Sequence, residues 1–270
     1  MSDQVSYRNY SGTAAENYER YFVPAIAAPV AADLVRAADL QPGERVVDVA
    51  CGTGVIARLA AERVGPSGTV IGVDVAPDMI DVARTTAAAS GLAIEWHQAD
   101  AASLPLPDDA FDVVCCQMGL MLFADRAAAL SEMRRVLRGG GRLALSTPGT
   151  INRPLELLAE GLARHINPDL AVFVRAVFSM DDPAVHRELL ADAGFTGVDA
   201  NVLTTTLHLP PPKEFLWQYI NLTPLGAFVS QAPATAQDAL EADVAGQWQT
   251  LLDKSGNAFD QPLVVATARA

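Results

Sequence analysis

Short apolar runs and amphipathic stretches alternate through the middle of the chain. Residues 45–49, 69–73, 93–98, 111–117 and 142–146 read as five strands, most of them nearly continuous in apolar character. Helical patterns separate them. One runs from Val55 to the break Gly65-Pro66-Ser67-Gly68. The next opens at Pro77, sets Met79, Ile80, Val82 and Ala83 on helical spacings, and stops near Ser90-Gly91. A third covers about Asp125 to Leu137. Asp100–Asp109, rich in Pro and Asp, reads as a loop, and Arg138-Gly139-Gly140-Gly141 as a tight break. Continuous apolar strands alternating with helices predict parallel strands covered on both faces. Ligands of such sheets lie beyond the carboxyl ends of the strands, near the point where strand order reverses.

The flanking segments differ. The first 40 residues read as helical, with Tyr18, Tyr21 and Phe22 at spacings of three and four. A second helix is expected after Pro24, reaching about Ala38, with Pro29 bending it or lying near its first turn. After Pro148-Gly149 the alternation lapses. Ile151–Met180 reads as apolar helix, Pro183–Ala193 as a helix ending at Gly194, and Thr196–Leu207 as a long strand. Pro210-Pro211-Pro212 then precedes helical segments carrying Phe215, Trp217, Tyr219 and Phe228, and Pro262–Thr267 reads as the last strand. No internal repeat or long low-complexity linker divides the chain, so residues 1–270 are expected to form one domain.

Composition narrows the function classes. Half the residues are hydrophobic and 19% charged, which predicts a globular chain. The net charge is −13 and no basic run exceeds Arg134-Arg135, which argues against nucleic acid as a partner. Met1-Ser2-Asp3-Gln4 lacks the basic and apolar regions of a signal peptide. Val113–Ala124, the longest apolar stretch read, is interrupted by Gln117 and Gly119 and falls short of the roughly 20 residues of a membrane helix. No integral membrane association is expected. Cys51 sits in a glycine turn while Cys115 and Cys116 are neighbours, an arrangement unlike a disulfide framework or a paired metal site. A cytoplasmic protein is expected.

The chemistry concentrates at the end of the first strand. Gly52-Thr53-Gly54-Val55-Ile56-Ala57 follows it directly, and two glycines without Cβ atoms let a ligand approach the backbone. The helix beginning at Val55 offers unpaired N–H groups at its start. Asp74, twenty residues after Gly54 at the end of the second strand, is placed to accept hydrogen bonds from two ribose hydroxyls. Nicotinamide enzymes and methyltransferases share that pair of features. Three others separate them: Asp48, giving Asp-x-Ala-x-Gly-x-Gly; Asp100 before Ala101 at the end of the third strand; and Leu104-Pro105-Leu106-Pro107-Asp108-Asp109-Ala110-Phe111-Asp112-Val113-Val114 leading into the fourth. With these residues the chain resembles the class I S-adenosylmethionine-dependent methyltransferases. The likeness is greatest to the branch holding the ubiquinone/menaquinone-biosynthesis C-methyltransferases and many small-molecule methyltransferases of secondary metabolism. It is close over residues 40–150 and looser through Asp192-Ala193-Gly194-Phe195.

The resemblance implies an α/β, Rossmann-like fold with a seven-stranded, mainly parallel sheet and an antiparallel terminal strand. It also implies S-adenosyl-L-methionine as cofactor and S-adenosyl-L-homocysteine as product. Backbone at Ala50, Gly52, Thr53 and Gly54 would approach the methionine and ribose portions. Asp74 would hold the ribose, Val75 and Met79 the adenine faces. Asp100 would accept from the adenine amine, and Ala101 N–H would reach a ring nitrogen. Gln117, or a carbonyl beside it, would lie near the sulfonium or amino group. Asp48 belongs to the same motif, or orders the turn through backbone N–H groups. Ala50 stands where the family often has Gly. Residues 1–40 would form a helical lid, with Tyr18 and Tyr21 folding over the methionine end or packing as ordinary helix residues. Residues 41–150 would be the cofactor-binding core, and 151–182 and 210–258 helical inserts covering the substrate.

The expected acceptor is a small, mainly apolar molecule of quinone, phenol, terpenoid or polyketide-like type. No catalytic residue is assigned, because alignment of reactants supplies much of the rate of such a transfer. His165 and His208 are the candidate bases, while His97 is read as structural and His186 as solvated. No clustered metal ligands are seen, so no metal is expected. A homodimer is the assembly considered. Two other readings stay open: a non-catalytic adenosyl-ligand-binding regulator or scaffold, and an NAD(P)-dependent oxidoreductase, for which a Tyr-x-x-x-Lys proton donor is lacking.

Overall fold

In the computed structural model, residues 13–255 and 258–270 are described. The reading of Met1–Gln4, and the first twelve residues of the expected lid, lie outside them. Backbone contacts group the chain into two units. One comprises Val30–Thr150, Ser179–Thr204 and Pro262–Ala270; the other comprises Met1–Pro29, Ile151–Phe178 and Thr205–Gln261.

The first unit is built on the sheet. The strands are β1 (Arg45–Val49), β2 (Thr69–Asp74), β3 (Glu95–Gln98), β4 (Phe111–Gln117), β5 (Leu137–Pro148), β6 (Thr196–His208) and β7 (Ala258–Arg269), in the order β3-β2-β1-β4-β5-β7-β6. Two of them, β6 and β7, have their last and first residues respectively in the second unit. β1 pairs in parallel with β2 and β4, β2 with β3 and β4 with β5, whereas β7 runs antiparallel to β5. The seven-stranded sheet with its antiparallel terminal strand is therefore as expected. From β1 the chain builds outward to β3, then returns to the other side of β1, so the order reverses between β1 and β4. Val46, Val47, Val49, Val113 and Val114 are wholly buried, which is why these strands read as unbroken apolar runs.

Register places Asp48 between Gly72 on β2 and Cys115 on β4, with Trp96 beyond Gly72. The Trp96 ring occupies the space a side chain at Gly72 would need, and a Cβ at Gly54 would come within 2.5 Å of its Cη2. One indole thus fills the gap beneath two glycines. Gly72→Ala is expected to destabilise the fold by about 1–3 kcal/mol through overpacking. Urea melts should show that loss, with partial recovery in Gly72→Ala/Trp96→Leu; equal stability of Gly72→Ala and wild type would refute it.

Several boundaries differ from the sequence reading; β7, for one, begins at Ala258 rather than Pro262. Arg138–Gly141 is part of β5: Leu137 pairs with Phe111 and Arg142 with Val113, and the register shifts between them. Gly140, at φ +78°, lets the backbone bulge, and the bulge is stitched to the carboxyl terminus by Ala270 N–H donating to Gly141 C=O at 3.1 Å. Residues 151–180 hold two helices, Arg153–His165 and Pro168–Ala176, because Asn167 caps the second and Pro168 occupies its first turn. Finally, Pro24 ends nothing. Ala14–Asn17, the π-helical Tyr18–Ala27 and Ala28–Ala38 form one continuous run. Within it Ala28 N–H donates to Val23 C=O, the wider turn of a π-helix, which accommodates a residue without an N–H. By length and composition this run could cross a membrane, a longer apolar span than Val113–Ala124. Its residues Val23, Ile26, Ala27, Val30, Ala31, Leu34 and Val35 are buried, and a core helix passes the same test.

The second unit is mainly helical, adding Pro212–Leu222, Leu225–Val229 and Ala234–Ser255. Phe215 lies 5.4 Å from Trp248 and 6.0 Å from Tyr219, centroid to centroid. Trp248 Nε1–H donates to Pro154 C=O at 2.6 Å, and Trp217 Nε1–H to Glu241 at 2.8 Å. Phe215, Trp217, Tyr219 and Trp248 are core, whereas Phe228 is exposed. His165, at the end of its helix, bonds Asp243 at 2.8 Å, which together with Gln247 and Arg164 holds that carboxyl below its ordinary range.

His186 corrects the expectation of a solvated ring, because it is completely buried. Its Nε2 lies 2.9 Å from Thr147 Oγ1 and its Nδ1 3.0 Å from Asp182 C=O, while the Thr147 hydroxyl donates to Met180 C=O at 2.9 Å. A neutral imidazole and one hydroxyl bring two protons to three contacts. Only a charged ring completes the set, and burial, which lowers its pKa, opposes that charge.

Candidate cofactor site

The turn after β1 bends through unusual backbone. Ala50 (φ +57°), Gly52 (φ +54°) and Gly54 (φ +86°) are all left-handed, a conformation that strains an alanine. The turn is fixed from both sides. Cys51 N–H donates to Val73 C=O at 3.0 Å, and Gly54 N–H to Cys51 C=O at 2.8 Å. Asp74 Oδ2 accepts from Gly52 N–H at 2.8 Å and its Oδ1 from Ala76 N–H at 2.9 Å. The carboxylate at the end of β2 is thus locked against the glycine turn.

Asp48 lies beneath that turn, 1% exposed. Its Oδ2 accepts from Ala57 N–H at 3.0 Å, and its Oδ1 has no hydrogen-bond partner among the described residues. Burial pushes its pKa up to about 8; the nearby Asp74 charge adds to this, while the Ala57 N–H and the Arg58 guanidinium work against it. Thr53 Oγ1 is likewise buried and unpartnered. Burial also raises all three cysteine thiols, so none is a ready nucleophile.

A cavity of about 220 Å³ opens beside the turn. Val49 and Ala50 from β1, Val73, Asp74 and Val75 from β2, and Ala99, Asp100 and Ala101 from the end of β3 line it, with Leu122, Phe123 and Ala124 on the side reached after β4. It stands at the carboxyl ends of the strands, where the order reverses. Of the residues singled out in the sequence, Ala50, Asp74, Val75, Asp100 and Ala101 meet here. Asp100 Oδ1 accepts from Ala102 N–H at 2.8 Å, which sets the direction of its loop. That loop is anchored from below: the Arg135 guanidinium donates to Leu104 C=O, Leu106 C=O and Asp108, and Glu132 accepts from Leu104 N–H. The Leu104–Asp109 segment is therefore held through its backbone and the Asp108 carboxylate.

The other sequence-predicted residues stand around or apart from the cavity. Asp48 is below its floor, Gly52 adjoins it through Asp74, and Thr53 and Gly54 continue the turn into the helix Val55–Val64. Met79 lies half-buried on the helix Pro77–Ala89, and Gln117 half-buried at the end of β4. Tyr21 belongs to the helical unit, with the Arg20 guanidinium 5.9 Å from its ring centroid, and Tyr18 stacks on Phe22. Leu122, Phe123 and Ala124 were missed, since an apolar run after a strand carries no mark of its own. Next to Gln117 the backbone is strained again at Met118 (φ +50°), whose N–H donates to Ser146 C=O at 2.7 Å. A Cβ on the following Gly119 would stand 2.7 Å from Ala50 Cβ and 2.9 Å from Cys116 Sγ.

Comparison with known proteins bears on what this crevice holds. A family model described as a methyltransferase domain matches residues 46–141. A ubiquinone/menaquinone biosynthesis C-methyltransferase of Neisseria meningitidis is 33% identical over 176 residues, 61% of this chain and 72% of that protein. The chain belongs to the class I S-adenosylmethionine-dependent methyltransferases, in the ubiquinone/menaquinone C-methyltransferase-like branch. Within this family it is also similar to a demethylmenaquinone methyltransferase of Thermus thermophilus, 46% identical over 40% of this chain and 50% of that one. A nocamycin O-methyltransferase of Saccharothrix syringae is 40% identical over 44% of this chain and 43% of that one. The chain thus spans about half the length of these two relatives. Among solved structures, a Haemonchus contortus phosphoethanolamine N-methyltransferase 2 shares the fold at a TM-score of 0.60 and 19% identity, covering 98% of this chain and 60% of that one.

Proposed function

We propose that the protein binds S-adenosyl-L-methionine in the crevice beside the glycine turn and directs its methyl group to a small, mainly apolar acceptor. The observation that carries this reading is the carboxylate of Asp74 on the cavity wall, held by two backbone N–H groups and facing the Asp100–Ala101 corner. The residues present fit the cofactor. The glycines leave no side chain over the turn, a carboxylate stands where a diol needs acceptors, and apolar walls stand where a purine would pack.

Asp74 would hold the ribose hydroxyls, Asp100 and the Ala101 N–H the adenine edge, and Val75 with Met79 its faces. Ala50, Gly52, Thr53, Gly54, Gln117 and Asp48 would serve the methionine end. When bound, S-adenosylmethionine supplies a methyl group on a positively charged sulfur, already activated for transfer. The chain's own part is to bind, orient and exclude water. Tyr21, and the segments 151–182 and 210–258, would cover the bound molecules and furnish acceptor contacts. The names of the relatives, a demethylmenaquinone methyltransferase and a nocamycin O-methyltransferase, support a small-molecule acceptor such as a quinone, phenol, terpenoid or polyketide. The reading includes metal independence and a cytoplasmic location.

Titration calorimetry tests the cofactor. S-adenosylhomocysteine is expected to bind one per chain and NADH to give no heat. Absence of S-adenosylhomocysteine binding would overturn the reading. Turnover across demethylated quinones and phenols, followed by release of S-adenosylhomocysteine, separates an enzyme from a non-catalytic binder.

A further inference from the structure

We propose that Arg126 is a positioning residue of the crevice. Its guanidinium clasps the turn that carries Leu122, Phe123 and Ala124, and so fixes the wall against which the adenosine part of the cofactor lies. The inference rests on the proposed function for what the wall meets, and on geometry alone for what holds the wall. β4 leaves the sheet through the left-handed Met118 (φ +50°), and the 3₁₀ turn Leu120–Leu122 follows. Two backbone bonds close that turn, Leu122 N–H to Gly119 C=O at 2.9 Å and Phe123 N–H to Leu120 C=O at 3.3 Å. Leu120 and Met121 are buried whereas Leu122 is 64% exposed, so packing grips only the start of the turn. A short 3₁₀ turn has poor hydrogen-bond geometry, and a strained residue before it persists only where its surroundings over-determine it. Arg126 supplies that constraint. Its Nε donates to Leu120 C=O at 3.2 Å and its Nη2 to Met121 C=O at 3.1 Å, so one planar fork spans two consecutive carbonyls and closes the loop.

The place of Arg126 in the sequence also points to a task outside its own helix. It is the first residue of the helix Arg126–Val136, where a cation opposes the helix dipole. That helix start is already capped by Asp125, whose side chain accepts from Ala128 N–H at 2.9 Å. No carboxylate pairs with Arg126 among the described residues, so its charge is committed to the two carbonyls. Arg135, in the last turn of the same helix, holds Leu104 C=O and Leu106 C=O on the loop that follows Asp100. One helix therefore grips both loops that bound the cavity, and Arg126 is the grip on the turn whose residues line it. Arg134 donates instead to Gly194 C=O at 3.0 Å, outside the lining.

Hydrogen exchange read by mass spectrometry tests the clasp in the free protein. In Arg126→Ala the amides of residues 119–124 are expected to exchange about tenfold faster, with β1 and β2 unchanged. Titration calorimetry reads the consequence. A wall in place for only about a tenth of the time weakens every ligand that needs it about tenfold. Arg126→Ala should therefore weaken S-adenosylhomocysteine and 5′-methylthioadenosine, which lacks the amino-acid end, by the same factor of about ten. A variant that merely unfolds in part would lose binding sites rather than affinity. Arg126→Lys keeps the charge but not the fork and should fall between, while Arg134→Ala should match wild type in both measurements. Unchanged exchange at residues 119–124 in Arg126→Ala would overturn the inference, as would wild-type affinity for both ligands. A wild type that binds neither ligand would overturn the proposed function instead, and the exchange rates would still decide whether Arg126 holds the wall.

Discussion

Asp74→Ala is expected to lower the affinity for S-adenosylhomocysteine by about two orders of magnitude or more, with the fold retained. The carboxylate is asked to do two things at once. In the free protein it ties Gly52 N–H and Ala76 N–H, fixing the turn and the start of the next helix. In the proposed complex it also accepts two ribose hydroxyls. Hydrogen bonds to a charged acceptor contribute about 1.5–3 kcal/mol each, so losing two gives a change of this size. Titration calorimetry reads it directly. Asp74→Asn keeps one acceptor oxygen and should fall between wild type and alanine. An alanine variant that binds as well as wild type would remove Asp74 from the site.

Asp48→Asn is expected to change how stability depends on pH. The buried carboxyl is pushed from 3.8 in the ordinary state up to about 8, so the folded chain keeps a proton that the unfolded chain releases. Its contribution is fully present below pH 3.8 and is lost as pH rises through 8. Within that window the slope from this one group is up to about 1.4 kcal/mol per pH unit. Asparagine does not titrate. In urea melts at pH 5 and pH 8 the wild type should lose at least about 2 kcal/mol relative to the variant. Parallel curves would mean that the carboxyl is ionised, and solvated, in the folded state.

The parts of the fold that were readable share a cause. β1, β2 and β4 are buried on both faces and end at turns written in Gly and Asp, so local sequence and final environment agree. Asp74 and Asp100 were legible for the same reason: each closes a strand, and strand ends converge on the crevice. What escaped depends on contacts distant in sequence. The Gly139–Gly141 bulge reads as a break until Ala270 is found beside it. Helix breaking by Pro24 is a property of α-geometry, and the π-turn removes it. His186 sits among Arg and Glu, and only Thr147, thirty-nine residues earlier, reveals that its ring points inward. Leu122–Ala124 enter the site because the left-handed Met118 turns the chain there, a backbone state that a methionine does not advertise.

That same corner couples Ala50, Cys116, Gly119 and Phe123 to one fixed volume. Ala50 already holds a methyl group at the cost of left-handed strain, and the missing Cβ of Gly119 is the vacancy that accommodates it together with Cys116 Sγ. A glycine at 50 would relax the backbone and remove the nearest of the atoms that an alanine at 119 would meet; Cys116 Sγ at 2.9 Å and Phe123 Cζ at 3.2 Å would still have to give way. Gain of a side chain at 119 is therefore conditional on what stands at 50 and 116, whereas loss of the methyl at 50 is not. Lineages descending from this sequence can exchange the methyl across the crevice floor, but they cannot own it on both sides.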